Sequence, residues 1–280
     1  MSEAEKSLGR PMGSARHNQW RVGKASVSLV RPPIEPKRLS IAAQPQNLLI
    51  DAARSAFIVV DMQNDFCAKG GYLDYRGVDV TPDQKPIGPI ARLAPELRSL
   101  GVPIVWLNWG VRTDLLNASP SLLHAHCPDG TGAGLGESIP GGKPILVEGS
   151  WGAAIVDGLV PDDRDIRVTK YRYSGFWDTE LDSILRNLGV TTLLFAGVNA
   201  DQCVMSTLQD AMFLGYDCVM VEDCVGTTSP DYCMLATLYN VKLLYGFVTD
   251  SAAIRQGIQA AAGEAAGEPA AGNEGARTHG

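Results

Sequence analysis

Three residues of this 280-residue chain stand where reactive groups are most easily assembled: Asp61, Lys170 and Cys203. "AFIVVDM" (56–62) carries an acid behind a β-branched run, and "DIRVTK" (165–170) ends in a lysine. Cys203 follows "TTLLFAG" (191–197) through the turn "GVNADQC". A free thiol ionises near pH ~8.5 and needs help to become a nucleophilic thiolate. At Cys203 the start of the helix "VMSTLQDAMFLG" offers a partial positive charge, and Lys170 adds a full one. Asp61 can accept the thiol proton and return it to a leaving amine. Backbone amides of the turn, those of Asn199 and Cys203, can point together at a developing oxyanion. The trio therefore suits acyl transfer through a covalent cysteine intermediate, with no cofactor and no metal.

Each residue also has a plainer reading. An acid after a strand often caps a turn, a strand-terminal lysine is usually solvated, and a cysteine near a helix start usually packs. Their shared position at strand ends favours chemistry. Histidine, the commoner partner of a catalytic cysteine, occurs only at positions 17, 124, 126 and 279. "LHAHC" (123–127) is thus the place for a Cys–His arrangement or a zinc ion, but no acid stands at suitable spacing. It is read as a loop that shapes the substrate mouth.

The elements that would position the trio alternate along the chain. Strands are expected at 56–62, 103–109, 165–170, 191–197, 217–223 and 242–250. Helices are expected at 87–101, at 179–189 with Thr179 as cap, after Cys203, and over "SPDYCMLATLYNV". Such alternation predicts an α/β fold, a three-layer, doubly wound and mostly parallel sheet with helices on both faces. In such sheets ligands bind beyond the carboxyl ends of the strands.

Composition sets the wider limits. The chain is 45% hydrophobic and 20% charged, ordinary for a globular domain. A net charge of −7 argues against nucleic acid as a partner, and no apolar run suits a membrane span or a signal peptide. Six cysteines without C-x-x-C spacing point to a reducing cytoplasm rather than a disulfide framework. Cys67 is the one to watch as a second reactive thiol; Cys218, Cys224 and Cys233 read as packing. Residues 1–44 are expected as a flexible basic arm, 45–255 as the single domain, and 256–280 as a disordered Ala/Gly/Glu tail. An apolar helix face and the basic arm make a homo-oligomer the expected assembly.

"FIVVDMQNDFC", "KYRYSGFWDTELDSILRNLG" and "LLFAGVNADQCVMSTLQDAMFLGYD" together resemble the isochorismatase-like cysteine hydrolases over residues 47–250. Within that family the ureidoacrylate amidohydrolase branch is most similar, with the biuret and triuret hydrolases as close relatives. The resemblance implies a Cys–Lys–Asp triad, falling on Cys203, Lys170 and Asp61, and a non-proline cis peptide at Val198–Asn199. It implies substrate contacts at Asn64, Phe66, Asn108, Trp109, Arg112, Tyr173, Phe176 and Trp177. Ala200 stands where many members have Thr, and the metal-binding Asp-x-His pattern of the nicotinamidase branch is missing after the second strand. The implied reaction is hydrolysis of a C–N bond in a small ureido or carbamoyl compound, releasing ammonia and CO2. Arg112 or Arg172 would suit a substrate carboxylate; a neutral biuret or triuret would use Asn64, Asn108 and Gln202. A catalytically inactive interaction module of the same fold is the other alternative, and a true isochorismatase would lack the nucleophilic cysteine.

Overall fold

The computed structural model describes residues 9–267. Its central sheet has six parallel strands: β1 (Ser55–Val60), β2 (Ile104–Trp109), β3 (Ile166–Lys170), β4 (Thr192–Gly197), β5 (Asp217–Val225) and β6 (Phe247–Thr249). They lie in the order β3-β2-β1-β4-β5-β6. Among the helices are α1 (Ile87–Ser99), α2 (Leu181–Asn187), α3 (Met205–Phe213), α4 (Asp231–Asn240) and α5 (Ser251–Gly267). β1 and β4, "SAFIVV" and "TLLFAG", are buried along their whole length, as parallel strands covered on both faces must be. Parallel crossovers are right-handed, so chain movement in opposite directions from the sheet centre puts helices on both faces. The direction reverses between β1 and β4. A crevice therefore opens beyond the carboxyl ends of these two strands.

The expected elements form close to the positions expected, with one exception. "KLLYGFVTD" is not a strand throughout: Val241–Tyr245 continues α4 as a π-helical turn, and only Phe247–Thr249 pairs with β5. The chain can turn into the sheet at Gly246 because no side chain is there; a Cβ would lie 2.1 Å from the Cys218 carbonyl oxygen.

The segment before residue 45 contains a small antiparallel sheet of Arg10–Met12, Trp20–Val22 and Val27–Ser28. Asn18 and Ser14 reach across to Asn187 at the end of α2. Arg38–Ile41 then pairs with Leu48–Asp51, and Leu39 and Ile41 are buried in the core. The alternation of buried Leu39 and Ile41 with exposed Arg38 and Ser40 seats this hairpin on the domain. At the other end α5 extends through the start of the expected tail, while residues 268–280 lie outside the described residues. No described helix is long and apolar enough to cross a membrane.

Candidate active site

The three strand-end residues meet. Lys170 closes β3 beside Trp109 of β2, its direct partner in the sheet register. Asp61 leaves β1 with φ of 50°, a left-handed turn that Asp tolerates better than most residues. Its amide donates to the Leu107 carbonyl at 2.9 Å, and its own carbonyl accepts from Gln63 N–H at 2.7 Å. That turn swings the carboxylate to 2.7 Å from Lys170 Nζ, with the two side chains 1% and 0% exposed. Lys170 also donates to the Arg172 carbonyl at 3.2 Å and sits 4.2 Å from the centroid of the Trp109 ring. The ring face favours a cation in a place where water cannot reach it.

Cys203 lies in the π-helical turn Ala200–Val204 that leads directly into α3. The widened turn has Val204 N–H donating to Asn199 O, five residues back, at 3.2 Å; single π turns of this kind recur at functional sites. Val198–Asn199 is a cis peptide. Asn199 is fixed by its side chain, whose Oδ1 accepts from Thr228 N–H at 3.1 Å. Its own amide donates to no backbone carbonyl among the described residues, so it is open to an oxyanion. Gly197 lets β4 run tightly along β1 before this turn; at its φ of +108° a Cβ would lie 1.9 Å from Val60 O.

Burial pushes the Cys203 thiol up, the Lys170 charge opposes it, and the Asp61 charge adds to it. Burial also pushes the Asp61 carboxyl above the usual carboxylate range, with the Lys170 charge working against it. Although the ammonium lies close, neither Asp61 oxygen holds a well-aligned hydrogen bond among the described residues. A buried carboxylate with spare acceptor capacity beside a thiol is a proton acceptor in waiting.

Around this centre stands an aromatic wall. Trp109 packs edge-on to Tyr173 at 5.6 Å, and His126 stacks on Tyr173 at 6.5 Å and lies 5.6 Å from Trp109. His126 ends the short helix Pro120–His126 inside the irregular stretch after β2. Its Nδ1 is 3.0 Å from Leu122 O, and burial holds its imidazole below the usual range. "LHAHC" therefore contributes an imidazole ring to the wall. No group of three metal-ligating side chains occurs among the described residues. Beyond Tyr173 a cleft of about 550 Å3 continues outward, lined by Leu122, Arg172, Trp177, Ser206 and Asp210 among others. Ser206 and Asp210 follow Cys203 by three and seven positions, on the same helical face.

Other residues implied by the resemblance are placed differently. Arg112 forms a two-point pair with Asp114 at 2.8 and 2.6 Å on the surface. Asn108 follows the strand's alternation to the side opposite the Trp109 side chain and lines a small cavity with Trp106, Trp109, Glu148 and Thr169. Phe176 packs on Tyr216, and Phe66 is buried in the core. Asn64 donates its amide to Trp151 O at 2.8 Å, which ties down the 149–155 loop. Gln202 donates to Ser229 Oγ at 3.2 Å. Tyr173 and Trp177 do line the cleft; the Trp177 indole donates to Asp210 at 2.9 Å.

Gln63 escaped the sequence reading and is central to the site's frame. Wholly buried, its amide donates to the Trp109 and Ala153 carbonyls at 2.8 and 2.7 Å and accepts from Trp109 N–H at 2.7 Å. It holds the end of β2, and with it the Trp109 ring, against the Asp61 turn. The only signal was a polar run, "DMQND", directly after a buried strand.

Known proteins share this arrangement of elements. A cysteine hydrolase from Pseudomonas syringae pv. phaseolicola 1448A is 25% identical with a TM-score of 0.64, the match covering 80% of this chain and 99% of that one. An isochorismatase family protein from Desulfovibrio vulgaris subsp. vulgaris str. Hildenborough is 28% identical, with a TM-score of 0.60 over 72% of this chain and 97% of that one. N-carbamoylsarcosine amidase from Thermoplasma acidophilum is 26% identical, with a TM-score of 0.53 over 71% and 96%. The isochorismatase domain profile matches residues 55–253, a span that runs from the first residue of β1 to the start of α5 and takes in all three strand-end residues. With sheet, crevice and sequence in agreement, the chain belongs to the isochorismatase family.

Proposed function

We propose that this hydrolase is a cysteine amidohydrolase that cleaves a C–N bond of a small ureido or carbamoyl compound of the ureidoacrylate type. One observation carries the reading: a buried thiol shares its site with a buried ion pair whose carboxylate keeps free acceptor capacity. Cys203 Sγ attacks the carbonyl carbon as its proton passes to Asp61. The negative charge gathers on the carbonyl oxygen, where the amides of Asn199 and Cys203 receive it. Asp61 returns the proton to the nitrogen of the breaking C–N bond, the amine leaves, and a carbamoyl group stays on sulfur. Water, losing a proton to Asp61, then cleaves that thiocarbamate. The carbamate released breaks down to CO2 and ammonia. Lys170 holds Asp61 in place and balances the negative charge that moves across the site.

The cleft beyond Tyr173 would take the rest of the substrate. Its guanidinium is Arg172, held by Asp178 at 3.1 Å and half-exposed. This supports a substrate with a carboxylate. The amides that a neutral biuret or triuret would need are elsewhere or already engaged: Asn64 on Trp151, Gln202 on Ser229, Asn108 in another cavity. The test is ammonia release from ureidoacrylate, biuret, triuret and nicotinamide by the wild-type chain and Cys203→Ala. Turnover of ureidoacrylate by wild type alone is expected. Preference for biuret or triuret would move the assignment to those relatives, and no turnover of any compound would favour an interaction module.

A further inference from the structure

One buried acid has no part in the mechanism above. Asp83, in the short helix Thr81–Gln84, is fully buried, and neither of its carboxyl oxygens has a hydrogen-bond partner among the described residues. Yet it lies directly behind the catalytic turn. Gly226, just after β5, is clasped by that turn: its N–H donates to Gly197 O at 3.1 Å and its carbonyl accepts from Ala200 N–H at 2.8 Å. On its other side Gly226 meets the backbone of the Asp83 helix. A Cβ at this glycine would lie 2.6 Å from Pro82 O and 3.3 Å from Asp83 Cα. The helix, Gly226 and the turn carrying Asn199 and Cys203 are thus in contact as one stack.

The charged and titratable groups facing Asp83 offer it no relief. From the catalytic turn comes Asp201, a second acid, whose Oδ1 accepts from Thr227 Oγ1 at 2.5 Å. From the helix Asn64–Cys67 comes the Cys67 thiol, itself pushed up by burial and then by the Asp83 charge. No cation pairs with Asp83 among the described residues. A lone carboxylate so placed is far costlier to bury than a neutral carboxylic acid.

We propose that Asp83 is a positioning residue held as a neutral carboxylic acid, and that its ionisation at alkaline pH loosens the Gly226 clasp and switches off the Cys203 turn. Burial, followed by the Asp201 charge, pushes this carboxyl to about 8, in keeping with the geometry. Ionisation would draw water between the short helix and Gly226, and the first backbone to yield is the turn that presents the Asn199 amide. The consequence for rate rests on Cys203 being the nucleophile; the protonation of Asp83 does not.

Two readouts keep these apart. The first is thermal unfolding of wild type and Asp83→Asn from pH 5 to 9. A folded-state pKa raised above the unfolded value stabilises at low pH and loses that stability as pH rises through the folded value. The Tm advantage of Asp83→Asn should therefore widen from pH 5 to about 8 and then level off. An advantage that stays constant over that range overturns the proposal, because Asp83 would then ionise normally. The second readout is infrared spectroscopy: a protonated-carboxyl band present at pH 6 in wild type, and missing from Asp83→Asn where Asp61 remains, should vanish by pH 9. Its absence at pH 6 overturns the proposal equally. With a substrate in hand, kcat of wild type should fall above about pH 8 while KM holds. Asp83→Asn should lose that fall, and Asp201→Asn should move it to lower pH, because the neighbouring charge that helps to hold Asp83 protonated is gone. An alkaline limb identical in all three proteins contradicts the link to the turn while leaving the nucleophile untouched.

Discussion

The two ends of the central sheet each bury an ion pair, and the pairs are built in opposite ways. At the amino end, Asp165 sits 2.7 Å from Arg98, with its side chain 2% exposed. Every bond it can make is made: two from the Arg98 guanidinium, one from the Trp106 indole at 2.8 Å and one from Asp162 N–H at 2.9 Å. Burial alone would raise this carboxyl, but those hydrogen bonds outweigh it and hold it below the usual range. At the carboxyl end, Asp61 has an equally short ion pair with Lys170 and no well-aligned hydrogen bond, and burial pushes it up. A fully satisfied acid is a clamp. An acid left with acceptor capacity, in contact with a thiol, is available for proton transfer.

Breaking the two ends should therefore have different consequences. Cys203→Ala should cost roughly 10^4-fold or more in kcat/KM with little change in Tm, as measured by ammonia release and thermal unfolding. Asp61→Asn should cost about 10²–10⁴-fold in kcat/KM, the usual worth of a general acid–base. In wild type the acid limb of kcat/KM should lie above the ordinary carboxylate range, since the base must be ionised and burial raises its pKa; a pH–rate profile checks this. Asp165→Asn should instead leave the rate per folded molecule unchanged and cost roughly 2–4 kcal/mol of stability, read by denaturant unfolding. Because Asp165 is held below its unfolded value, its contribution is present above pH ~3.9 and is lost as pH falls through the folded value. The deficit of the variant should shrink in acid. Arg112→Ala should change kcat/KM by less than about twofold, as for an exposed charge already paired with Asp114.

How far such contrasts could be read beforehand depends on where the information lies. Asp61, Lys170 and Cys203 were legible because each follows an apolar run, and parallel strands bring their carboxyl ends to one edge. The cis peptide at Val198–Asn199, expected from the resemblance alone, is present. Closeness to a strand end says nothing about direction: Asn108 lines a small cavity with Trp106 and Trp109, and Arg112 pairs with a carboxylate two residues away. Gln63 and Asp83 were invisible for a related reason: each acts through partners 46 or more than 100 residues away in sequence, and nothing local marks a polar residue as buried. His126 was placed only as part of a mouth-shaping loop; its stacking on Tyr173 depends on the fold of the long stretch after β2.

The central claim is that Cys203 carries the reacting group. The most direct test is mass spectrometry of the protein quenched during turnover of ureidoacrylate, with peptide mapping of any adduct. A carbamoyl mass on the peptide containing Cys203, absent from Cys203→Ala, is the result expected. Turnover that leaves no adduct in wild type and persists in Cys203→Ala would contradict the account.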